Sequence, residues 1–399
     1  MKIRKVKKTV TFPSGFWASG ISCGIKKSGK KDMALLAAEK ECQAVGMFTT
    51  SVLKAAPLKV SQLHLGKSIK KRAVLVTSGN ANCATGKRGV QDSIEETKCV
   101  SALLGCRKED VLVLSTGRIG QYLPMEKIRK GIPEAVRQLS SDGGEDFSKA
   151  ILTTDTFVKM TAYLVGTKNR GYALAGTAKG AGMIRPDMAT MLAFVTTDLP
   201  ISRSLMKSAL KEAVQSSFNR ITIDGCMSTN DTVFLLSSGR AKHHYVKDKG
   251  RDYTVFLNVL KKACRELAEM IILDGEGMTK VIEISVKGAQ SHADARKAAE
   301  AVGNSNLFKT AVYGRSPNWG RIFASLGSSK IKVAESRLSI KLCGLTFMKK
   351  GEPVFIKRSL QKEFKKKRIP VEVDLGMGKF GYRITTVDLT PEYIRINEG

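Results

Sequence analysis

Apolar residues recur at two kinds of spacing along the 399-residue chain, and each spacing predicts a different element. Positions three or four residues apart share one face of a helix, whereas short unbroken apolar runs are typical of buried strands. The predicted helices cover residues 90–104, 124–139, 254–271 and 293–301, and a further amphipathic helix begins after Ser202. The predicted buried strands cover residues 44–50, 73–76 and 110–114. Alternation of apolar and polar residues from 282 to 287 predicts a half-buried strand, with which a final domain begins.

The segment from residue 179 to residue 194 joins a Gly-rich, Pro-containing turn to an apolar run, with Thr190 at the junction. Threonine is common in strands, so Thr190 is compatible with an ordinary residue at the start of a strand. The chemical alternative is that its hydroxyl attacks the Ala189 carbonyl, which cuts the chain and frees an N-terminal threonine. The α-amine of such a residue can take the proton from its own hydroxyl. The residues alone leave both interpretations open.

This segment, K-G-A-G-M-I-R-P-D-M-A-T-M-L, resembles the self-cleavage segment of the ornithine acetyltransferase family of arginine biosynthesis, whose members are also called glutamate N-acetyltransferases. The resemblance extends from Gly15 to Asn397. Its other motifs are S-G-N-A-N at 78–82, S-T-G at 115–117, D-G-x-x-S-T-N-D-T at 224–232 and P-N-W-G-R-I at 317–322. Within the third motif, Cys226 and Met227 replace the Asp-Thr pair that is common in the family.

The resemblance implies an α/β fold of layered sheets and helices, similar to that of N-terminal-nucleophile aminopeptidases. It further implies a precursor that cuts itself between Ala189 and Thr190. The expected α chain, residues 1–189, carries the oxyanion and substrate-binding loops. The β chain would consist of residues 190–280, with the nucleophile and amphipathic helices, and of a smaller C-terminal α/β domain, residues 281–399. Two α and two β chains would form a heterotetramer.

The activity implied by the resemblance is transfer of the acetyl group from N2-acetylornithine to glutamate through an acetyl ester of Thr190, with ornithine and N-acetylglutamate as products. Use of acetyl-CoA as a second acetyl donor stays open. Thr116 and Gly117 would stabilise the oxyanion, and a hydroxyl and a Gly amide at a strand end suit that role because they can be aimed in advance. The residues expected to contact substrate are Thr156, Lys179, Thr190, Glu276 and Asn397.

Two of these contacts have a chemical basis in the residues themselves. The cation of Lys179 could pair with a substrate carboxylate and lower the pKa of a nearby amine, and the Glu276 carboxylate suits a substrate amine. Family members usually continue past Asn397 to a threonine that also contacts substrate, whereas this sequence ends at Gly399. We therefore expect altered affinity or specificity at that end of the substrate.

The net charge of +31 is the unusual feature of a composition that is otherwise ordinary, with 42% apolar and 26% charged residues. Such a charge is compatible with a nucleic-acid surface, with attraction of anionic substrates, or with solubility alone. No zinc-finger spacing, basic-region heptad or RNP-like motif accompanies it, so we expect no specific nucleic-acid partner. The basic N-terminus is followed by no apolar run, which predicts a cytoplasmic protein without a membrane anchor.

The eight cysteines are scattered and the four histidines form no metal-ligand spacing, so we expect no disulfide, metal ion or organic cofactor. Two other functions remain as alternatives. One is a hydrolase of related architecture, an N-terminal-nucleophile aminopeptidase or amidohydrolase in which water replaces glutamate. The other is a basic nucleic-acid-binding protein, for which strongly salt-dependent binding by an uncut chain would be the sign.

Overall fold

The computed structural model describes residues 2–166, 171–185, 191–356 and 361–398, and these form two compact units. The first unit contains the described residues up to Met183, those from Met191 to Asn219, and those from Met227 to Ile271. The second contains Ile184 and Arg185, Arg220–Cys226, and the described residues from Ile272 onward. The predicted cleavage pair, Ala189 and Thr190, lies outside the described residues.

The described strands of the first unit form one mixed sheet in the order β1-β6-β7-β8-β9-β3-β4-β5, and β2 pairs with β3. The strands are β1 (Ile3–Val6), β2 (Phe16–Ile21), β3 (Met33–Phe48), β4 (Lys70–Asn80), β5 (Val111–Arg118), β6 (Lys159–Gly166), β7 (Gly171–Lys179), β8 (Leu192–Thr197) and β9 (Thr232–Ser237). The helices are α1 (Ala56–Lys67), α2 (Gly86–Leu104), α3 (Met125–Arg137), α4 (Gly144–Ala150), α5 (Arg203–Gln215) and α6 (Arg251–Leu273), whose last two residues belong to the second unit.

Two strand pairs of this sheet are parallel, β4 with β5 and β8 with β9. Parallel neighbours need a long crossover, and a helix provides it in each case: α2 between β4 and β5, and α5 between β8 and β9. Parallel strands are usually covered on both faces, so their sequences read as apolar runs rather than alternating patterns. Every residue of β8 and β9 is buried accordingly.

The apolar core of the first unit includes two large clusters on the two sides of β4. Successive strand residues point to opposite faces of a sheet, so neighbours along β4 enter different clusters. Leu75 belongs to the cluster that contains Val60 of α1 and Ile128 of α3, whereas Val74 belongs to the cluster that contains Phe147 of α4. The middle of β4 is therefore covered on both faces.

The second unit contains a mixed sheet whose described strands follow the order β13-β12-β11-β14-β10-β15. The strands are β10 (Val281–Ala289), β11 (Ser339–Leu342), β12 (Leu345–Lys349), β13 (Glu352–Pro353), β14 (Arg368–Asp374) and β15 (Phe380–Val387). The helices are α7 (His292–Gly303), α8 (Asn306–Tyr313), α9 (Gly320–Gly327), α10 (Gln361–Phe364) and α11 (Pro391–Asn397). Ile282, Ile284 and Val286 of β10 share one apolar cluster with Ala295 and Val302 of α7.

The α/β fold class and the predicted elements are confirmed, with longer strands than the local pattern indicated. The strand predicted at 44–50 is the second half of β3, and the short run at 73–76 is the middle of β4. Ser202 occupies the position before α5 as predicted, but its hydroxyl lies 3.2 Å from the Ser204 hydroxyl and does not cap the helix backbone. None of the described helices is both long and apolar enough to cross a membrane.

Candidate active site

Thr116 and Gly117 lie at the end of β5, where that strand runs parallel to β4. Gly117 stands opposite Gly79 with a φ of 132°, a value that favours glycine. A Cβ atom at Gly117 would lie 2.3 Å from the carbonyl carbon of Gly79, closer than any side chain allows. The predicted oxyanion pair is thus held directly beside the S-G-N-A-N motif.

Asn230 ties a third motif to this pair of strand ends. Its side-chain Nδ2 donates to the carbonyl oxygens of Ala81 and Ser115, both at 2.7 Å. Ala81 belongs to S-G-N-A-N, and Ser115 directly precedes Thr116. One buried amide therefore fixes the relative positions of three of the recognised motifs.

Asp231, the next residue, holds the chain that follows the predicted nucleophile. Its Oδ1 accepts a hydrogen bond of 2.8 Å from the backbone N–H of Met191. The side chain is buried, and burial raises the pKa of this carboxyl well above its ordinary value. Its Oδ2 has no hydrogen-bond partner among the described residues. Thr190 itself is outside the described residues, and Asp231 holds the backbone N–H of the residue that follows it.

Lys179, at the end of β7, is only 2% exposed and interacts electrostatically with Asp155. The Asp155 side chain is fully buried, lies 2.6 Å from Lys159 Nζ, and accepts a hydrogen bond of 2.6 Å from the Gly180 N–H. Burial alone would raise the pKa of Asp155, but the two lysines and the amide hold it below its ordinary value. Thr156, the predicted substrate contact, directly follows Asp155 and is exposed.

Lys26 adds a further cation to this cluster. Its Nζ donates to the Leu152 carbonyl at 2.7 Å, and its Cγ lies 3.1 Å from where a Cβ of Gly79 would be. Burial lowers the pKa of Lys26 to about 8; Asp32 opposes this effect, and the charge of Lys179 adds to it. The buried Lys179 and the half-buried Lys26 both interact with Asp155, and together the two amines can attract an anionic group of a substrate.

Glu276 and Asn397 meet in the second unit. Asn397 Nδ2 donates to Glu276 Oε2 at 2.9 Å from the last residue of α11. The start of α11 is fixed to the same loop, because the Thr390 hydroxyl donates to the Gly277 carbonyl at 2.7 Å. Gly277 has a φ of 66°, and a Cβ there would lie 2.4 Å from the backbone nitrogen of Tyr393. The Glu276 loop and the C-terminal helix thus form one packed arrangement.

The structure places the sequence-predicted residues in two groups. Thr116, Gly117, Thr156 and Lys179 belong to the first unit, and Glu276 and Asn397 belong to the second. Sequence reasoning did not select Asp155, Lys26 or Asp231. The sequence contained a signal for Asp231, since an acidic residue next to a strand with the apolar run V-F-L-L is a candidate for a buried carboxyl.

Comparison with known proteins gives a consistent result. The ArgJ family profile matches residues 17–399. An "Arginine biosynthesis bifunctional protein ArgJ" of Oceanobacillus iheyensis is 40% identical over 391 residues, which cover 97% of this chain and 95% of the relative. The protein of the same description from Symbiobacterium thermophilum is 42% identical over 391 residues, with 97% of each covered. Among solved structures, ornithine acetyltransferase from Mycobacterium tuberculosis, complexed with ornithine, is 35% identical with a TM-score of 0.43, over 46% of this chain and 98% of that one.

Proposed function

The chain belongs to the ArgJ family, and from that premise we propose that it carries the acetyl group of N2-acetylornithine to glutamate on the hydroxyl of Thr190. It is an arginine-biosynthesis acyltransferase, a glutamate N-acetyltransferase. The observation that carries the mechanism is the hydrogen bond that the Met191 N–H donates to Asp231. The neighbouring residue, Asn230, donates to the carbonyl oxygen of Ser115, which directly precedes Thr116. These two contacts connect the backbone of Met191 with the strand end that carries Thr116, which supports a nucleophile at the preceding position.

The first proposed step is self-cleavage between Ala189 and Thr190. The Thr190 hydroxyl adds to the Ala189 carbonyl, and the acyl group moves from nitrogen to oxygen as an ester. Water then hydrolyses the ester, which leaves a carboxylate on Ala189 and a free α-amine on Thr190. Asp231 supports this step by holding the Met191 amide, which limits the movement of the chain on the C-terminal side of the reacting residue.

The second step is acetyl transfer in two half-reactions. The α-amine of Thr190, with an ordinary pKa of about 8, takes the hydroxyl proton as the oxygen attacks the acetyl carbonyl of N2-acetylornithine. The tetrahedral intermediate places its negative oxygen at Thr116 and Gly117, and ornithine leaves with the proton. The amine of glutamate then attacks the acetyl ester, and N-acetylglutamate leaves. No metal ion or organic cofactor takes part in this scheme.

The substrate contacts follow from charge. Lys179 and the exposed Thr156 hydroxyl lie next to the Asp155 cluster and would bind the α-carboxylate that both amino-acid substrates carry. Glu276, positioned by Asn397, would bind an amine. Because the relatives are described as bifunctional, we include acetyl-CoA as a second donor that acetylates Thr190 directly. A cytoplasmic heterotetramer of two α and two β chains completes the proposal.

The decisive experiment is intact mass under denaturing conditions, before and after incubation with N2-acetylornithine. We expect two fragments that separate between Ala189 and Thr190, and a gain of one acetyl group on the later fragment only. Thr190→Ala should remain one chain without acetyl. Thr310→Ala, which removes an exposed threonine hydroxyl from α8, is the matched control and should behave as the wild type.

The outcomes separate the steps. A wild-type chain that stays whole and never gains acetyl would refute the nucleophile assignment. Fragments that form but release acetate rather than transfer the acetyl group to glutamate would favour the hydrolase. Incubation with acetyl-CoA in place of N2-acetylornithine tests the second donor: acetylation of the later fragment supports bifunctionality, and its absence restricts the enzyme to recycling.

A further inference from the structure

Two adjacent histidines and an aspartate converge in the first unit. His243 and His244 lie in the segment after β9, and Asp252 is the second residue of α6. One ring nitrogen of each histidine and one carboxylate oxygen of Asp252 lie within 4.8 Å of one another. We propose that these three side chains bind one divalent transition-metal ion, with Zn²⁺ as the ion best suited to the site.

The hydrogen bonding of His243 favours this role. Its Nδ1 lies 2.9 Å from the carbonyl oxygen of His244, and a carbonyl only accepts, so Nδ1 carries the proton. In the neutral ring, Nε2 then holds the free lone pair that a metal requires. This Nε2 is buried and has no hydrogen-bond partner among the described residues. A backbone carbonyl that orients the other nitrogen is also the usual support for a metal-binding histidine.

His244 and Asp252 supply the other two ligand groups. His244 Nε2 lies 2.8 Å from Asp252 Oδ2, and the Asp252 side chain is only 19% exposed. Asp252 lies in the first turn of α6, and the N-terminal end of a helix interacts favourably with a negative charge. A metal ion between His244 Nε2 and Asp252 Oδ2 would replace their direct contact, because the two atoms already lie next to each other.

The geometry needs a small contraction to hold a metal. Ligand atoms of a tetrahedral site with bonds of about 2.0–2.1 Å lie roughly 3.3 Å apart. The three ligand atoms now lie within 4.8 Å of one another, so they must move closer together to bind an ion. Side-chain rotation provides shifts of this size, most easily at the exposed His244. Three protein ligands leave one position for water.

The surroundings can support such a water. The ring of Tyr172 packs perpendicular to His243, with 5.9 Å between ring centroids, and its hydroxyl is buried without a partner among the described residues. A tyrosine hydroxyl can both donate and accept a hydrogen bond, so this buried group offers a partner of the kind that such a water needs.

The ligand set and the local charge select the kind of ion. Imidazole nitrogens suit Zn²⁺ and its transition-metal neighbours, whereas Mg²⁺ and Ca²⁺ prefer sites made of oxygen ligands. Four exposed basic residues also flank the cluster in sequence, and they weaken attraction that is purely electrostatic. These residues are Lys242, Lys247, Lys249 and Arg251. An ion held by coordinate bonds to nitrogen would tolerate them better than one held by charge alone.

The test is titration of tag-free, full-length protein with Zn²⁺ by isothermal calorimetry, after removal of bound metals with a chelator. The variants are His243→Ala, His244→Ala and Asp252→Asn, and each removes one ligand. His292→Ala is the matched control, because it removes another exposed histidine, which lies in the second unit. Co²⁺ absorption in the visible range provides a second readout, since nitrogen-bound, four-coordinate Co²⁺ absorbs strongly.

We expect one Zn²⁺ per chain for the wild type and for His292→Ala, with a rise in melting temperature on binding. Each of the three ligand variants should weaken binding by more than about tenfold and lose the Co²⁺ bands. Far-UV circular dichroism checks that the variants fold, and Asp252→Asn keeps the size of the side chain. Wild-type protein that binds no Zn²⁺ at millimolar concentration, or ligand variants that bind as tightly as His292→Ala, would overturn the proposal.

Discussion

Asp155 is the buried anion that two lysines share, and its replacement by asparagine should strongly destabilise the first unit. The carboxylate is fully buried, lies 2.6 Å from Lys159 Nζ, and accepts hydrogen bonds from Gly180 N–H at 2.6 Å and Thr153 N–H at 3.1 Å. In Asp155→Asn, Lys159 and Lys179 lose the anion that compensates them. Removal of one partner from a buried ion pair costs about 3–5 kcal/mol, so we expect a loss of that size in the free energy of unfolding.

Lys159→Met should cost less than Asp155→Asn. The carboxylate would keep Lys179 and the two backbone amides as partners, whereas the asparagine variant leaves two cations without their anion. The exposed pair of Glu145 and Lys149 has the same four-residue spacing and a distance of 2.8 Å, which makes Glu145→Gln the matched control. Exposed pairs contribute little, so this control should unfold as the wild type does.

Urea denaturation followed by far-UV circular dichroism measures these differences. Because the folded-state pKa of Asp155 is below the unfolded value of about 3.9, its contribution is complete above that pH and is lost as the pH falls through the folded pKa. The gap between wild type and Asp155→Asn should thus persist from neutral pH to about pH 5 and then close. A cost below about 1 kcal/mol for Asp155→Asn, or an equal cost for Lys159→Met, would refute the assignment of Asp155 as the shared anion.

Three further outcomes follow from the structure. Gly117→Ala should lower kcat by about 10²–10³-fold through displacement of the oxyanion loop. Gly66→Ala, on an exposed position of α1 with open space around its Cβ and no positive φ, should leave kcat unchanged in the same acetyl-transfer assay. Asn230→Leu leaves two buried carbonyls unpaired at about 1–3 kcal/mol each, a loss of about 2–6 kcal/mol that urea denaturation should detect. In the native protein, exposed Cys226 should react with maleimide before Cys42, because burial raises the pKa of the Cys42 thiol to about 12; equal rates would contradict this.

Elements with a strong local pattern could be predicted from the sequence. The apolar run of β5 and the helical spacing of α2 both appear within a short window, and both elements lie where expected. The first half of β3 could not be predicted in this way. Residues 33–38, M-A-L-L-A-A, are good helix formers, and they are extended because β2 and β4 pair with them on either side. Tertiary pairing outweighs the local preference there.

Some residues of the candidate site could likewise be predicted from the sequence, and others could not. Thr116, Gly117 and Lys179 were predicted through the family resemblance, because each belongs to a motif of consecutive residues. Lys26 and Asp155 are far apart in sequence, and nothing in either segment indicates that they meet. The same holds for the ligand cluster: His243 and His244 are adjacent, but only the return of the chain into α6 brings Asp252 to them. Sequence spacing cannot report a contact of that kind.

The order of strands in the large sheet determines whether refolding involves one polypeptide or two. Strands β8 and β9 follow residue 190, and they lie between β7 and β3, which precede it. A cut after Ala189 would convert the β7–β8 and β3–β9 hydrogen-bond ladders into contacts between two polypeptides. Recovery of the cut enzyme from denaturant would then depend on protein concentration, whereas an uncut Thr190→Ala chain would refold in a first-order process. The cleavage is therefore best completed after the sheet has formed, since the precursor assembles the sheet from one chain.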